Sequence, residues 1–399
     1  MISRFKPQLG VQEFLALFRR NTGAVKKFEH AFAKEFDAVD AVAFPYGRSA
    51  LWAFLNAVGV KNYEVVMPAY TCSVVAHAVS LSGNKPRFVD IQLSDYNMNL
   101  DLLPTAINEN TRAIVATHLF GYPSDINRVE AIVAEAEAQY GHKIWLIQDC
   151  AHSFGATWQG QLVGSSGDVG LYALNISKTM TAIFGGILTF QDQKLANKVR
   201  EWRDQHFCKP GIFKPWLRRL YLLAVYFAFN KYIYSLTKWL QHKTPLLDKL
   251  TKFYHLDGTI HFPPDYLDKM LDIEAAVGLE QLKKYPMIIN QRRKIATRYD
   301  QCLPRKDGWI FPPIIKGATY SHYVVRVPNR QACIMHMAKN SVELGELIQY
   351  SVPNLPGYSN IVCDQDDCSR SDMASGTTVN IPIYPGFSQK KLQEAIDAI

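Results

Sequence analysis

The chain has no apolar stretch near the roughly 18 residues that a membrane-spanning helix requires, and no apolar block follows the basic residues of Met1-Ile2-Ser3-Arg4-Phe5-Lys6-Pro7. The expectation is a cytoplasmic protein. Its cysteines are few, odd in number and scattered, at 72, 150, 208, 302, 333, 363 and 368, which predicts free thiols in a reducing compartment rather than a disulfide framework. Cys363 and Cys368 stand close together amid Asp364, Asp366 and Asp367. Two thiols alone make a poor zinc site, so an exposed loop is expected there and no metal. Acidic residues are nearly missing from one region: between Phe207 and Leu256 nine Lys or Arg face a single acid, Asp248, which accounts for the net charge of +8. Elsewhere the charges balance, so a basic surface for nucleic acid is not indicated, and no nucleic-acid motif is present.

What is present is apolar material for a large core, 48% of 399 residues. From Glu64 to Phe190 short β-branched runs alternate with helical patterns. Val65 to Met67, Arg87 to Asp90, Ala113 to Thr117, Ile144 to Asp149, Val169 to Leu174 and Ile187 to Phe190 read as strands. Ser49 to Val58, Ser73 to Leu81, Ile126 to Tyr140 and Gln193 to Phe207 read as helices. This alternation predicts an α/β fold with a mainly parallel sheet and a ligand site outside the strand ends. Ile273 to Leu282 and Met287 to Tyr299 read as two further helices, and Tyr320 to Val327 as a strand that opens a smaller C-terminal α+β domain. The expected organisation is an N-terminal helical segment 1–25, a large domain 26–262 with a basic aromatic insertion at 207–256, and a small domain 263–399.

Two stretches carry chemistry: Gln148-Asp149-Cys150-Ala151-His152-Ser153-Phe154-Gly155-Ala156 and Asn175-Ile176-Ser177-Lys178. Asp149 follows an apolar run, and Gly185-Gly186 follows Lys178, so each group is expected at a strand end or turn. An amine and a carboxylate so placed are what pyridoxal 5'-phosphate needs. The amine forms an imine with the aldehyde, while the carboxylate keeps the pyridine nitrogen protonated so that the ring accepts electrons. Gly47-Arg48-Ser49 opens a helix after Ala41 to Phe44. Free amides, a hydroxyl and a glycine at a helix start form a phosphate cradle, to which Arg48 adds a bidentate partner.

The order of these pieces resembles the DegT–StrS family of pyridoxal-phosphate sugar aminotransferases, which have the aspartate-aminotransferase-like fold type I. The resemblance covers most of the chain, through Gly47 to Leu51, Val66 to Thr71, Phe88 to Ile91, His118 to Gly121, Gln148 to Ala156, Val163 to Asp168, Ser177-Lys178, Gly185-Gly186, Ile273 to Leu282 and Ile381 to Pro385. It implies that Lys178 anchors the cofactor and moves the proton, that Asp149 holds the pyridinium, and that His152 contacts the cofactor near its ring oxygen. Gly47, Arg48 and Ser49 fall at the phosphate. It further implies a homodimer with sites at the subunit boundary, and transfer of an amino group from an amino acid such as glutamate to a keto-sugar, nucleotide- or lipid-linked, in the sugar biosynthesis of cell-surface polysaccharide.

The chain also departs from the family. Cys72 stands where the family stacks an aromatic residue on the cofactor ring, which leaves Tyr70 or His152 to cover it. Ala173 replaces a phosphate-binding Ser, and Leu267 replaces an Asn that reaches the phosphate from the neighbouring subunit. The charge of Arg48 is expected to compensate, with Lys269 helping across the boundary. The family's substrate-binding His, in a His-Tyr-Pro context, appears as Gln349-Tyr350-Ser351-Val352-Pro353, so recognition of a particular nucleotide sugar does not transfer. Two rival functions follow. One is a non-aminating, dehydratase-like enzyme on a sugar, opposed by Lys178 because family dehydratases have His there. The other is a catalytically silent regulator or membrane-docked protein.

The segment 213–240 is the other distinctive feature. Its apolar block, Leu220 to Phe229, is about half the length needed to cross a bilayer. Flanked by Arg218, Arg219, Lys231 and Lys238, with Trp216 and Trp239 near the ends, it has the composition of a helix lying in a lipid headgroup layer. Its other reading is a helix packed on the protein with its cations toward solvent. Under the first, the protein sits peripherally at the inner face of the membrane.

Overall fold

The computed structural model describes residues 1–228, 259–358 and 367–399. Eleven strands are described: β1 (Asp40–Phe44), β2 (Glu64–Pro68), β3 (Lys85–Val89), β4 (Thr111–Thr117), β5 (Trp145–Asp149), the small hairpin β6 (Thr157–Trp158) and β7 (Gln161–Leu162), β8 (Val169–Ala173), β9 (Gly186–Phe190), β10 (Tyr323–Arg326) and β11 (Thr378–Ile381). The helices are α1 (Val11–Ala16), α2 (Ala24–Glu35), α3 (Gly47–Ala57), α4 (Ser73–Leu81), α5 (Leu103–Ala106), α6 (Ile126–Tyr140), α7 (Gln193–His206), α8 (Lys214–Ala228), α9 (Asp272–Cys302), α10 (Arg330–Lys339), α11 (Ser369–Thr377) and α12 (Gln389–Asp397).

Seven strands form one sheet in the order β1-β9-β8-β5-β4-β2-β3. The pairs β2·β3, β2·β4, β4·β5 and β5·β8 are parallel, while β8·β9 and β1·β9 are antiparallel. Parallel strands covered on both faces read as apolar runs, and β4 and β5 do so because nearly every residue is buried. Local chemistry fixes the crossovers. Asp125 caps α6 by accepting from the Arg128 amide, and Gly141 ends it in the left-handed conformation at φ 68°. The chain therefore delivers the ends of β4 and β5, the start of α3 and the β8–β9 connection to one rim of the sheet.

The structure joins the two helices expected between Ile273 and Tyr299 into the single helix α9, with Pro286 inside it. A proline removes one ladder bond. Buried Leu282, Tyr285, Ile288 and Ile289 on either side bind the helix to its neighbours strongly enough to carry it through. Its first half packs with Phe28 and Phe32 of α2, and its second half, through Ile295, Ala296 and Tyr299, joins the cluster of Tyr323, Val325 and Ile381. The antiparallel pair β10·β11 belongs to that second cluster.

Helix α8 starts six residues before the apolar block, whose Tyr221, Leu222 and Leu223 pack on the core as in the packed reading, but its cations do not face solvent. Lys214 pairs with Asp265 and Asp268 at 2.8 and 2.7 Å, and Arg218 with Asp265 and Glu274, each at 2.9 Å. Arg219 donates to the Leu17 carbonyl at 2.8 Å. The cations point into the protein and much of the apolar surface points out. Lys231, Lys238 and Trp239 lie outside the described residues. No helix among the described residues is long and apolar enough to cross a membrane. Cys368 is disulfide-bonded, which corrects the expectation of free thiols at that position, while Cys72, Cys150, Cys208, Cys302 and Cys333 are free.

Candidate active site

Asp149 ends β5, and its carboxylate is buried. Its Oδ1 accepts from the Ala151 amide at 3.0 Å. Burial raises its pKa above the ordinary carboxylate value, opposed by that amide and by the neighbouring Lys178 charge. Behind it, the Asp149 carbonyl accepts from the His118 amide at 3.1 Å. The His118 imidazole in turn meets Gln148 Oε1 at 2.9 Å and accepts from the Ser124 amide at its Nδ1. This fully buried net fixes the β4 and β5 ends in relation to each other.

Lys178 sits in the β8–β9 connection, where Asn175 makes a tight turn. Asn175 Oδ1 accepts from the Ser177 amide at 3.0 Å, and the Asn175 carbonyl accepts from the Lys178 amide at 3.1 Å. Farther along, Ile183 holds φ 72°, a left-handed conformation that a β-branched residue rarely adopts. Such backbone costs on the order of 1–3 kcal/mol and persists only where neighbours over-determine it. Thr181 does so here: its Oγ1 accepts from the Ile183 amide at 3.0 Å and donates to the Leu174 carbonyl at 3.1 Å. Lys178 has no salt bridge or side-chain hydrogen bond to any described residue. Burial holds its amine below the ordinary lysine value, against the opposing influence of Cys72 and Asp149.

The two stretches and Cys72 thus converge on one place. Cys72 is the residue that precedes α4, in extended backbone. His152 is buried, its Nδ1 accepts from the Phe120 amide at 3.4 Å, and its ring lies 6.2 Å from that of Phe120 and 5.5 Å from that of His322. Burial, then Lys178 and His322, hold His152 well below the ordinary histidine value. His322 is pushed down to about 3 by burial, with Arg292 and Lys178 adding to it. Neither His322 nor Phe120 stood out in the sequence as a site residue. His322 was concealed inside a stretch that reads as strand, and the only signal for Phe120 was its place in the His118 to Gly121 motif.

At the α3 start, Gly47 and Gly186 are required by close approach. A Cβ on Gly47 would lie 2.9 Å from Ala173 Cβ, and one on Gly186 would lie 2.4 Å from the Tyr46 carbonyl oxygen. Arg48 is partly buried on the first turn. Ser49 is buried and donates to the Tyr266 carbonyl at 2.8 Å, so its proton is already engaged. Tyr70 is turned elsewhere: its hydroxyl donates to the Ile348 carbonyl at 3.1 Å and lies 3.1 Å from Thr378 Oγ1. Leu267 packs against the main core, and Lys269 pairs with Asp204 of its own chain at 3.0 Å.

The residues fit pyridoxal phosphate: a buried acid at one strand end, a partly buried amine of lowered basicity near it, and a helix start with a guanidinium beside it. Three hydroxyls nearby, Ser73 Oγ, Thr117 Oγ1 and Thr179 Oγ1, are buried with no partner among the described residues. Ser73 follows Cys72, Thr117 is the strand partner of Asp149, and Thr179 follows Lys178. Orphaned buried polar atoms mark a place shaped for a polar ligand.

The sequence model of the DegT/DnrJ/EryC1/StrS aminotransferase family matches residues 15–229 and 247–399. The spore coat polysaccharide biosynthesis protein SpsC of Bacillus subtilis is 25% identical over 385 residues, 94% of this chain and 88% of that protein. A GDP-perosamine synthase of Escherichia coli O157:H7 is 24% identical over 379 residues, 92% and 87% of the two chains. The crystal structure of the sugar aminotransferase CalS13 from Micromonospora echinospora superposes with a TM-score of 0.78 at 21% identity, covering 100% of this chain and 99% of that one. The family also contains sugar dehydratases. The chain belongs to the DegT/DnrJ/EryC1/StrS aminotransferase family, pyridoxal-phosphate-dependent sugar aminotransferases of fold type I.

Proposed function

We propose that the protein transfers an amino group from an amino acid, glutamate in the first instance, to a keto-sugar carried on a nucleotide or a lipid. The observation that carries this reading is the pairing of Lys178 and Asp149 in one buried place, the amine lowered and the acid raised in pKa by burial. When bound, pyridoxal phosphate supplies an aldehyde that condenses with amines and a ring that stabilises a carbanion.

The chain's own residues do the rest. Lys178 Nζ, its basicity lowered by burial, is the anchor for the cofactor and the base and acid that carries the proton. Asp149, held in position by the Ala151 amide, would hold the ring nitrogen. His152 accepts at Nδ1, so its proton sits on Nε2 and is available as a donor to the ring oxygen. The amides at the α3 start, with Arg48 beside them, answer the phosphate charge. Because the Ser49 hydroxyl donates to Tyr266, Arg48 takes the larger share of that task. His152 and Cys72 would be left to cover the ring, since the Tyr70 hydroxyl is bound toward Ile348. A homodimer completes the site at its boundary, and the 213–240 segment gives the protein a peripheral contact with the inner face of the membrane. A dehydratase-like reaction is the weaker reading because a lysine stands at 178.

The test is a half-reaction. Purified holoenzyme mixed with L-glutamate is expected to lose its visible cofactor band and gain that of the amine form, and borohydride is expected to fix the cofactor on the peptide containing Lys178. A label on another peptide, or a spectrum indifferent to every amino donor tried, would overturn the reading.

A further inference from the structure

A helix start serves an anion only as well as its first turn is held, because its amides must keep pointing at one place. The usual brace is a Ser, Thr, Asp or Asn side chain at the cap, and α3 has none: Tyr46 stands there and makes no capping hydrogen bond. The turn is braced from outside instead. The Tyr46 hydroxyl donates to Asp265 Oδ1 at 2.7 Å, and the Ser49 hydroxyl donates to the carbonyl of the next residue, Tyr266, at 2.8 Å. One short segment therefore holds the turn on either side of Gly47-Arg48.

That segment is in turn held by the inner side of α8. Arg218 donates to Asp265 Oδ2 at 2.9 Å and to the Tyr46 hydroxyl at 3.0 Å, while its Nε donates to Glu274 at 2.9 Å. Lys214 adds its own bonds to Asp265 and Asp268. The Arg218 guanidinium also lies 4.0 Å over the ring of Phe184, which meets the Tyr46 ring edge-on at 5.9 Å. Phe184 precedes Gly185-Gly186 in the connection that carries Lys178. Gly186 comes so close to the α3 start that a Cβ on it would stand 2.5 Å from the Gly47 nitrogen. Arg218 is thus in contact with both walls of the site, the helix start through Tyr46 and the Lys178 connection through Phe184.

We propose that Arg218, acting through Tyr46 and Phe184, is a positioning residue for pyridoxal phosphate: it fixes the spacing between the helix start that receives the phosphate and the connection that carries Lys178. This rests on the reading of the α3 start as the phosphate end of the site. A planar, forked cation suits the task, since its edge bonds two carboxylates and a hydroxyl while its face covers a ring; a lysine ammonium has neither the fork nor the face. The Arg218 side chain is 13% exposed, so solvent screens these bonds little. The segment after position 207 thereby sets how tightly a site outside itself holds its cofactor.

The experiment titrates the full-length protein with pyridoxal 5'-phosphate and, separately, with pyridoxal, which lacks the phosphate, reading the imine absorbance alongside urea unfolding. Tyr46→Phe removes only the hydroxyl. It is expected to weaken binding of the phosphate form by roughly tenfold, the order for one hydrogen bond with a charged partner, and to leave pyridoxal unchanged. Arg218→Lys keeps a cation beside Glu274 but not the fork, and is expected to lose at least as much. Tyr299→Phe removes an equally buried hydroxyl, bonded to the Pro382 carbonyl at 2.7 Å in the cluster around β10·β11, and should lower stability without moving either affinity. The proposal is overturned if Tyr46→Phe or Arg218→Lys binds the phosphate form as wild type does. It is equally overturned if both ligands weaken alike, or if Tyr299→Phe weakens binding as much. Arg48→Gln tests the underlying reading: a wild-type preference for the phosphate form in that variant would overturn the role of Arg48, whereas a preference lost there but kept in Tyr46→Phe would overturn the positioning role alone.

Discussion

Lys178 on the β8–β9 connection and Arg218 on α8 are both drawn out of water, but only Arg218 has carboxylates within salt-bridge reach. Burial pulls each cation toward neutrality. For Arg218 that pull is outweighed by Glu274, Tyr46 and Asp265 together, and its pKa ends raised. For Lys178 it is not outweighed, and its pKa ends lowered. A buried cation with its acids in place is a fastener. One left without them is a nucleophile and a proton carrier. The same contrast explains the surface each region offers: the site turns unpartnered polar atoms inward, and α8, having used its charges internally, turns apolar ones outward.

The contrast can be broken from either side. Lys178→Ala is expected to slow the glutamate half-reaction by roughly 10⁴-fold while leaving the fold intact, since loss of a positioned acid–base group has effects of that order. Stopped-flow absorbance together with circular dichroism measures both. Arg218→Met should do the opposite. It strands Glu274 as a buried acid without its guanidinium and costs about 3–5 kcal/mol of stability, whereas Leu220→Ser on the outer face of the same helix should change it by no more than about 0.5 kcal/mol. Urea unfolding of the two variants side by side would sharpen or erase the difference between the faces.

The smallest effect tests desolvation without charge pairing. His118 and His322 are held neutral by burial, pushed down to about 4 and about 3. In the unfolded chain they protonate near the ordinary value of 6.5, so below that pH the unfolded state binds more protons and stability falls as pH falls. Each histidine contributes about 1.4 kcal/mol per pH unit over that window. The unfolding midpoint should therefore drop between pH 7 and pH 5, less steeply in His118→Gln. An unchanged slope in that variant would remove His118 from the account.

Much of the fold was legible in the chain. Helices α4 and α6 begin and end at Ser73, Leu81, Ile126 and Tyr140 as read from periodicity, because an apolar stripe bounded by caps and glycine is a local signal. The sheet strands from Glu64 to Phe190 were visible for the same reason. The two helices read between Ile273 and Tyr299 are one, because the packing that carries α9 through Pro286 is not a local signal. In the site, Asp149 and Lys178 were readable from flanking strand and turn residues. His322 and Phe120 were not, because a residue some 170 positions from His152 enters the site only when α9 and β10 fold back over the sheet.

Composition and spacing alone determined the α/β architecture, the acid and the amine, and the existence of a basic, aromatic segment after position 207. The direction each charge faces was decided by the tertiary structure. In a helix such as α8, sequence gives the order of cations and apolar groups but not which side meets carboxylates. Only the arrival of Asp265, Asp268 and Glu274 from about fifty residues farther on turned Lys214 and Arg218 inward and left Trp216, Leu217 and Leu220 outside.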